Sequence, residues 1–209
     1  MVKPMIPNPV KYVVYDGLML TLTLSFNQAY GYALAGNGVF KFAAQRHFRA
    51  VIPVAPVRIA GLPQIRPHVT LRGPRLPEAP LLTLLQDARK QAWDAPREAM
   101  YHLRMETPDV VTLTRPEQTG TAAHLAYAGG EGSDVIADVH SHCEASAFFS
   151  PTDNGDELGF RFYVVIGRIF TRPEIRCRVG VYGDRWDVPI TTLFAGPGPF
   201  RDTIEAEHG

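Results

Sequence analysis

Ten of the 18 prolines fall in the first 80 residues, and glycine adds another 18 positions along the chain. Proline locks φ and removes a backbone donor, and glycine weakens helix interiors, so this distribution excludes a bundle of long helices and favours short strands joined by many turns. The densest stretch, Gly73-Pro74-Arg75-Leu76-Pro77-Glu78-Ala79-Pro80, reads as a connector and places a boundary near residue 76. At 209 residues the chain is too short for a (β/α)₈ barrel with its usual loops and suits one or two modest domains.

Residues 1–76 are expected to form a β-rich module. Leu18, Leu20, Leu22 and Leu24 alternate with Met19, Thr21 and Thr23, the period of a half-buried strand. Residues 30–35 and 39–43 flank Gly36-Asn37-Gly38, a hairpin signal, and residues 49–59 and 68–71 add further extended pieces. Residues 77–200 are expected to form a second, α+β domain, followed by a tail at 201–209. It opens on a helix over 81–93, where Leu81, Leu84, Leu85, Ala88 and Ala92 share one face and Pro96 stops the run. Extended segments are predicted at 98–105, 110–114, 124–128, 135–142, 160–169, 175–181 and 185–190, mostly antiparallel, with 160–169 as a central strand.

Composition narrows the function classes. Lys and Arg total 21, as do Asp and Glu, which argues against nucleic acid as a partner. No apolar run approaches the roughly 20 residues of a membrane-spanning helix, and the prolines at 4, 7 and 9 do not suit an export signal. With Cys143 and Cys177 as the two cysteines, the expected setting is a reducing cytoplasm.

The chemistry-bearing pattern is His140-Ser141-His142 followed, after seven intervening residues, by Ser150-Pro151-Thr152-Asp153. Side chains two apart on a strand point the same way, so both imidazoles can converge on one ion. Ser150-Pro151-Thr152-Asp153 is also a good helix start, with serine at the N-cap and proline at N1. An amidohydrolase barrel would need far more chain after His142, and a cupin would need a further histidine, whereas only His208 follows.

This pattern resembles the JAMM motif of the MPN/JAB metallopeptidases, which remove or process ubiquitin-like proteins. The resemblance covers roughly residues 80–190 and implies an MPN/JAB-like (cytidine-deaminase-like) mixed sheet with flanking helices. It implies one Zn²⁺ held by His140, His142 and Asp153 with water in the fourth position, and Ser150 as an oxyanion donor. It also implies an upstream glutamate as proton acceptor: Glu98 lies 42 residues before His140, after the helix and at the start of an extended segment. Glu106 and Glu144 are rivals, the latter because 140, 142 and 144 would share a face if the strand continued. The family commonly carries proline where Cys143 stands, and a thiolate there would add a ligand or a redox-sensitive point.

A β-rich, proline-rich module joined to such a domain also resembles the A proteins of bacterial plasmid-type PRTRC cassettes, which encode ubiquitin-like, conjugating-enzyme-like and activating-enzyme-like components as well. The implied partners are a ubiquitin-like protein or its conjugate and those cassette proteins. A competing reading is a catalytically silent MPN-like interaction module of a plasmid-associated assembly. Arg168, Arg172, Arg176 and Arg178 read as a solvated strand face, and His47, His68, His102, His124 and His208 form no cluster in the sequence.

Overall fold

The computed structural model describes residues 10–18, 22–24, 28–107, 110–121, 125–127, 132 and 134–204. The chain divides into two compact units, Met1–Arg72 and Gly73–Gly209. The segment expected to be a connector goes with the second unit: the Leu76 amide donates to Leu193 O and its carbonyl accepts from Ala195, leaving Leu76 buried.

The first unit is one sheet, β1 (Val10–Val14), β2 (Tyr30–Ala35), β3 (Gly38–Ala44), β4 (Phe48–Pro56) and β5 (His68–Leu71), in that spatial order. The pair β1 and β2 runs parallel and the rest antiparallel. Alternation puts Ala33, Ala35, Phe40, Phe42 and Val51 into a core with Tyr15 and Ile65. Gly36 turns the β2–β3 hairpin where a Cβ would sit 2.2 Å from the Leu62 carbonyl, so the turn needs glycine for close approach. The strand expected around 18–24 does not form at its described positions, where Leu22 and Leu24 pack as loop residues against the core; residues 19–21 lie outside the described set.

The second unit begins with α1 (Ala79–Gln91), whose Pro80 opens the first turn and whose Arg89 and Lys90 close the last, favourable at the two ends of a helix dipole. Its strands are β6 (Met100–Thr107), β7 (Val110–Thr114), β8 (Gln118–Gly120), β9 (Leu125–Tyr127), β10 (Val135–Ser141), β11 (Phe160–Gly167), β12 (Glu174–Val181), β13 (Asp184–Val188) and β14 (Arg201–Asp202). The main sheet runs β13-β12-β11-β10-β6-β7, with β14 also on β12, while β8 and β9 pair separately. Residues 201–204 are therefore not tail: Arg201 N donates to Pro173 O and Thr203 N to Ile175 O. The expected strand at 124–128 is described over Leu125–Tyr127 alone, and His124 and His208 lie outside the described residues.

Along the main path β10 and β11 are parallel and every other neighbouring pair is antiparallel, a mixed sheet. Parallel neighbours need a crossover, and α2 (Pro151–Asp156) lies in it. One sheet face is apolar: Leu81 and Leu84 of α1 meet Leu103, Ala137, Val139 and Val164. The opposite face is polar, with one cross-strand row of His102, Asp138, Tyr163, Arg178 and Asp187 beside a second of Met100, His140, Val165 and Arg176. Flanking helices were expected; among the described residues one long helix covers the apolar face. No described helix is long and apolar enough to cross a membrane.

Candidate metal centre

The two histidines converge because β10 carries its pairing one residue past its end. His140 sits in the ladder opposite Met100 and Val165, and the His142 amide donates to Ile166 O at 2.8 Å, so both rings leave the same face. Their Nε2 atoms are 3.2 Å apart. Cys143 then adopts φ 47°, turning the chain away before residues 145–147 cross Gly167. This turn removes Glu144 from the strand face, and its side chain is exposed.

The chain returns at Ser150, which caps α2. Its Oγ accepts from the Asp153 amide at 3.2 Å, while Asp153 Oδ2 accepts from the Ser150 amide at 2.5 Å, a reciprocal capping box. That box uses one carboxylate oxygen and leaves the other, Oδ1, at 3.4 Å from His140 Nε2. Ligand atoms of His140, His142 and Asp153 all lie within 4.8 Å of one another.

Two of the three edges of this donor set match a tetrahedral ion. Ligands at ~2.0–2.1 Å stand ~3.3 Å from each other along a tetrahedral edge, close to the 3.2 and 3.4 Å found here. Both imidazoles are held neutral, as ligands must be. Burial, opposed by Asp153, lowers His140 from 6.5 to about 4. Burial also lowers His142, against the Ser146 carbonyl and Asp153. His142 Nδ1 lies 3.3 Å from Ser146 O; a proton on Nδ1 donates to that carbonyl and leaves the Nε2 lone pair for an ion.

Glu98 stands two residues before β6 rather than opening it, with its amide donating to Thr121 O. Burial, then the charge of Asp153, pushes its carboxyl from 4.5 up to about 7. It lines a cleft of about 1010 Å³ with Arg97, Arg115, Glu117 and Gln118. Glu106 is exposed at the other end of β6 from the residue that pairs with His140. Cys143 is not in the ligand group; burial raises its thiol, which donates to Arg97 O at 2.9 Å.

Residues 84–179 match the family model for prokaryotic homologs of the JAB domain. This segment, 96 of the 209 residues, is similar to a JAB domain. It runs from within α1 to within β12 and contains Glu98, both histidines, Ser150 and Asp153. No curated protein matches the chain.

Two features of this segment correct the sequence reading. Arg178 is not solvated: it is 7% exposed and paired with Glu157. His102, which belonged to no cluster in the sequence, places Nδ1 at 2.7 Å from Asp138 Oδ1, and Arg161 also donates to that carboxylate. Cross-strand register brings these residues together, and single-strand patterns do not show it. Phe148, 42% exposed, stands 4.6 Å ring to ring from His142, a neighbour that no spacing rule identifies.

Proposed function

We propose that this JAB domain is a zinc-dependent peptidase that hydrolyses a peptide or isopeptide bond at the C-terminal end of a ubiquitin-like protein. The observation that carries the reading is the convergence of two neutral imidazoles and one carboxylate oxygen, with a half-buried glutamate near the aspartate. His140, His142 and Asp153 would hold the ion. When bound, zinc supplies Lewis acidity and lowers the pKa of water towards ~7.

The remaining work falls to the chain. Glu98, poised near neutrality, takes a proton at its carboxylate and returns it to the leaving amine nitrogen. The contact of Ser150 Oγ with the Asp153 amide uses a lone pair and leaves the hydroxyl hydrogen to donate to a developing oxyanion. The cleft beside Glu98 has room for a peptide segment, and its mixed charges suit a polar tail. The substrate class, and activating-enzyme-like and conjugating-enzyme-like proteins as partners, rest on the motif's resemblance to its family.

The test is metal content and turnover on the purified full chain. About one equivalent of zinc is expected, lost in His140→Ala and retained in Glu98→Gln, with Glu98→Gln unable to cleave a ubiquitin-like fusion. Less than about half an equivalent, with no response to His140→Ala, refutes the metal reading. Zinc binding without cleavage of the fusion by the wild-type chain favours a silent interaction module.

A further inference from the structure

The six-residue α2 carries Asp153 yet buries none of its own side chains. A helix this short does not persist on local hydrogen bonds alone, and the capping box at Ser150 satisfies only its first turn. Something outside α2 must hold it where Asp153 Oδ1 meets His140. The buried Arg178 of β12 reaches both flanks of the helix. Its guanidinium carbon sits 3.6 Å from the ring centroid of Phe149, the residue before the N-cap. Its Nε donates to Glu157 Oε2 at 2.6 Å, with Nη2 also 2.6 Å from that oxygen, and Glu157 is the C-cap. Arg185 of β13 adds a second hold, donating to Asn154 O and lying 3.5 Å from Glu157 Oε2.

We propose that Arg178 is the positioning residue of the aspartate-bearing helix: gripping Phe149 and Glu157 at once, it fixes α2 on the sheet and sets Asp153 against the histidine pair. The role as metal ligand that this gives Asp153 rests on the zinc reading above, whereas the grip on α2 does not. The guanidinium suits the task because it is planar enough to stack on a ring while its edge donates to a carboxylate, and it stays charged when buried. Lysine offers a point charge and no plane. Residues that orient metal ligands typically change metal affinity by ~10–100-fold when removed.

The test uses the full chain in two variants. Arg178→Met combined with Glu157→Gln removes both charges, so no unpaired ion is left buried; Arg178→Lys keeps the charge. In metal-free protein, hydrogen exchange is followed at the amides of Asn154 and Glu157, which donate to Ser150 O and Asp153 O, with those of β10 and β11 as reference. The double variant is expected to exchange at least tenfold faster at Asn154 and Glu157 with the strand amides unchanged, and to bind zinc at least tenfold more weakly; Arg178→Lys should do both to a smaller degree. Unchanged exchange in α2 overturns the proposal. So does strand exchange that accelerates equally in both variants, which would make Arg178 a general core residue. If wild-type protein binds no zinc, the metal reading fails, while the exchange result still decides whether Arg178 holds α2.

Discussion

Titration of His140 should cost the metal-free second unit stability as the pH falls below 7. An unfolded histidine takes its proton near 6.5, whereas burial keeps folded His140 neutral down to about 4. At this group protons therefore bind the unfolded chain more strongly, and its contribution to stability falls as pH drops from 6.5 towards 4. Between pH 7 and pH 5 the linkage integral for this one group is about 2 kcal/mol, and His142, shifted in the same direction, adds to it. For a unit of this size the His140 contribution corresponds to about 6–10 °C of Tm, opposed by Glu98, whose raised carboxyl takes its proton more readily in the fold over the same window. Both tryptophans, Trp93 and Trp186, lie in the second unit, so their fluorescence during heating in chelator reports on it. His140→Asn cannot titrate, so the stability of wild type relative to this variant should fall by that amount from pH 7 to pH 5, whatever the variant's overall Tm. Equal pH slopes in wild type and His140→Asn would falsify the assignment of the loss to a buried neutral imidazole.

Other expectations follow from single contacts. With a deprotonated Glu98 as proton acceptor, cleavage should rise with pH through a limb near 7, and a flat profile from pH 5 to 9 contradicts that role. Gly167→Ala would place a Cβ 2.4 Å from Ala145 O and 2.5 Å from Ala147 N. The loop between His142 and Ser150 must then shift, at a cost of about 1–3 kcal/mol in urea denaturation and with weaker zinc binding; unaltered values for both mean the loop is not seated on Gly167. Leu84, 1% exposed where α1 meets the sheet, should cost about 2–5 kcal/mol on substitution by alanine, and a loss below 1 kcal/mol would show that α1 contributes little to the core.

The parts legible in the sequence are those whose geometry is local. Leu81, Leu84, Leu85 and Ala88 recur at helical spacing, and all four are buried in α1. The histidines alternate on one strand end, and β11, read from its apolar run, lies between β10 and β12. What escaped was set by partners distant in sequence. Strand alternation puts Arg176 and Arg178 on the same face, and the usual inference sends that face to solvent. Arg176 stays partly exposed beside Asp187, but α2 and its flanks cover Arg178. Strand β1 was missed because its pairing partner, β2, begins 16 residues after it ends and runs parallel to it. Glu98 was expected within a strand, yet Ala99 already diverts its amide to the Ser141 hydroxyl and its carbonyl to the Ser141 amide, so regular pairing starts at Met100.

The reach of Arg178 across the fold has a consequence for biosynthesis. Arg178 follows Glu157 by 21 positions, so His140, His142 and Asp153 all leave the ribosome before the side chain that seats α2. At ~5–20 residues per second, the nascent chain exposes a complete but unseated ligand set for about one to several seconds. A chain interrupted in that interval would carry every residue of the motif and still lack the organised site, so on the proposed zinc reading an ion would be acquired after β12 has joined the sheet.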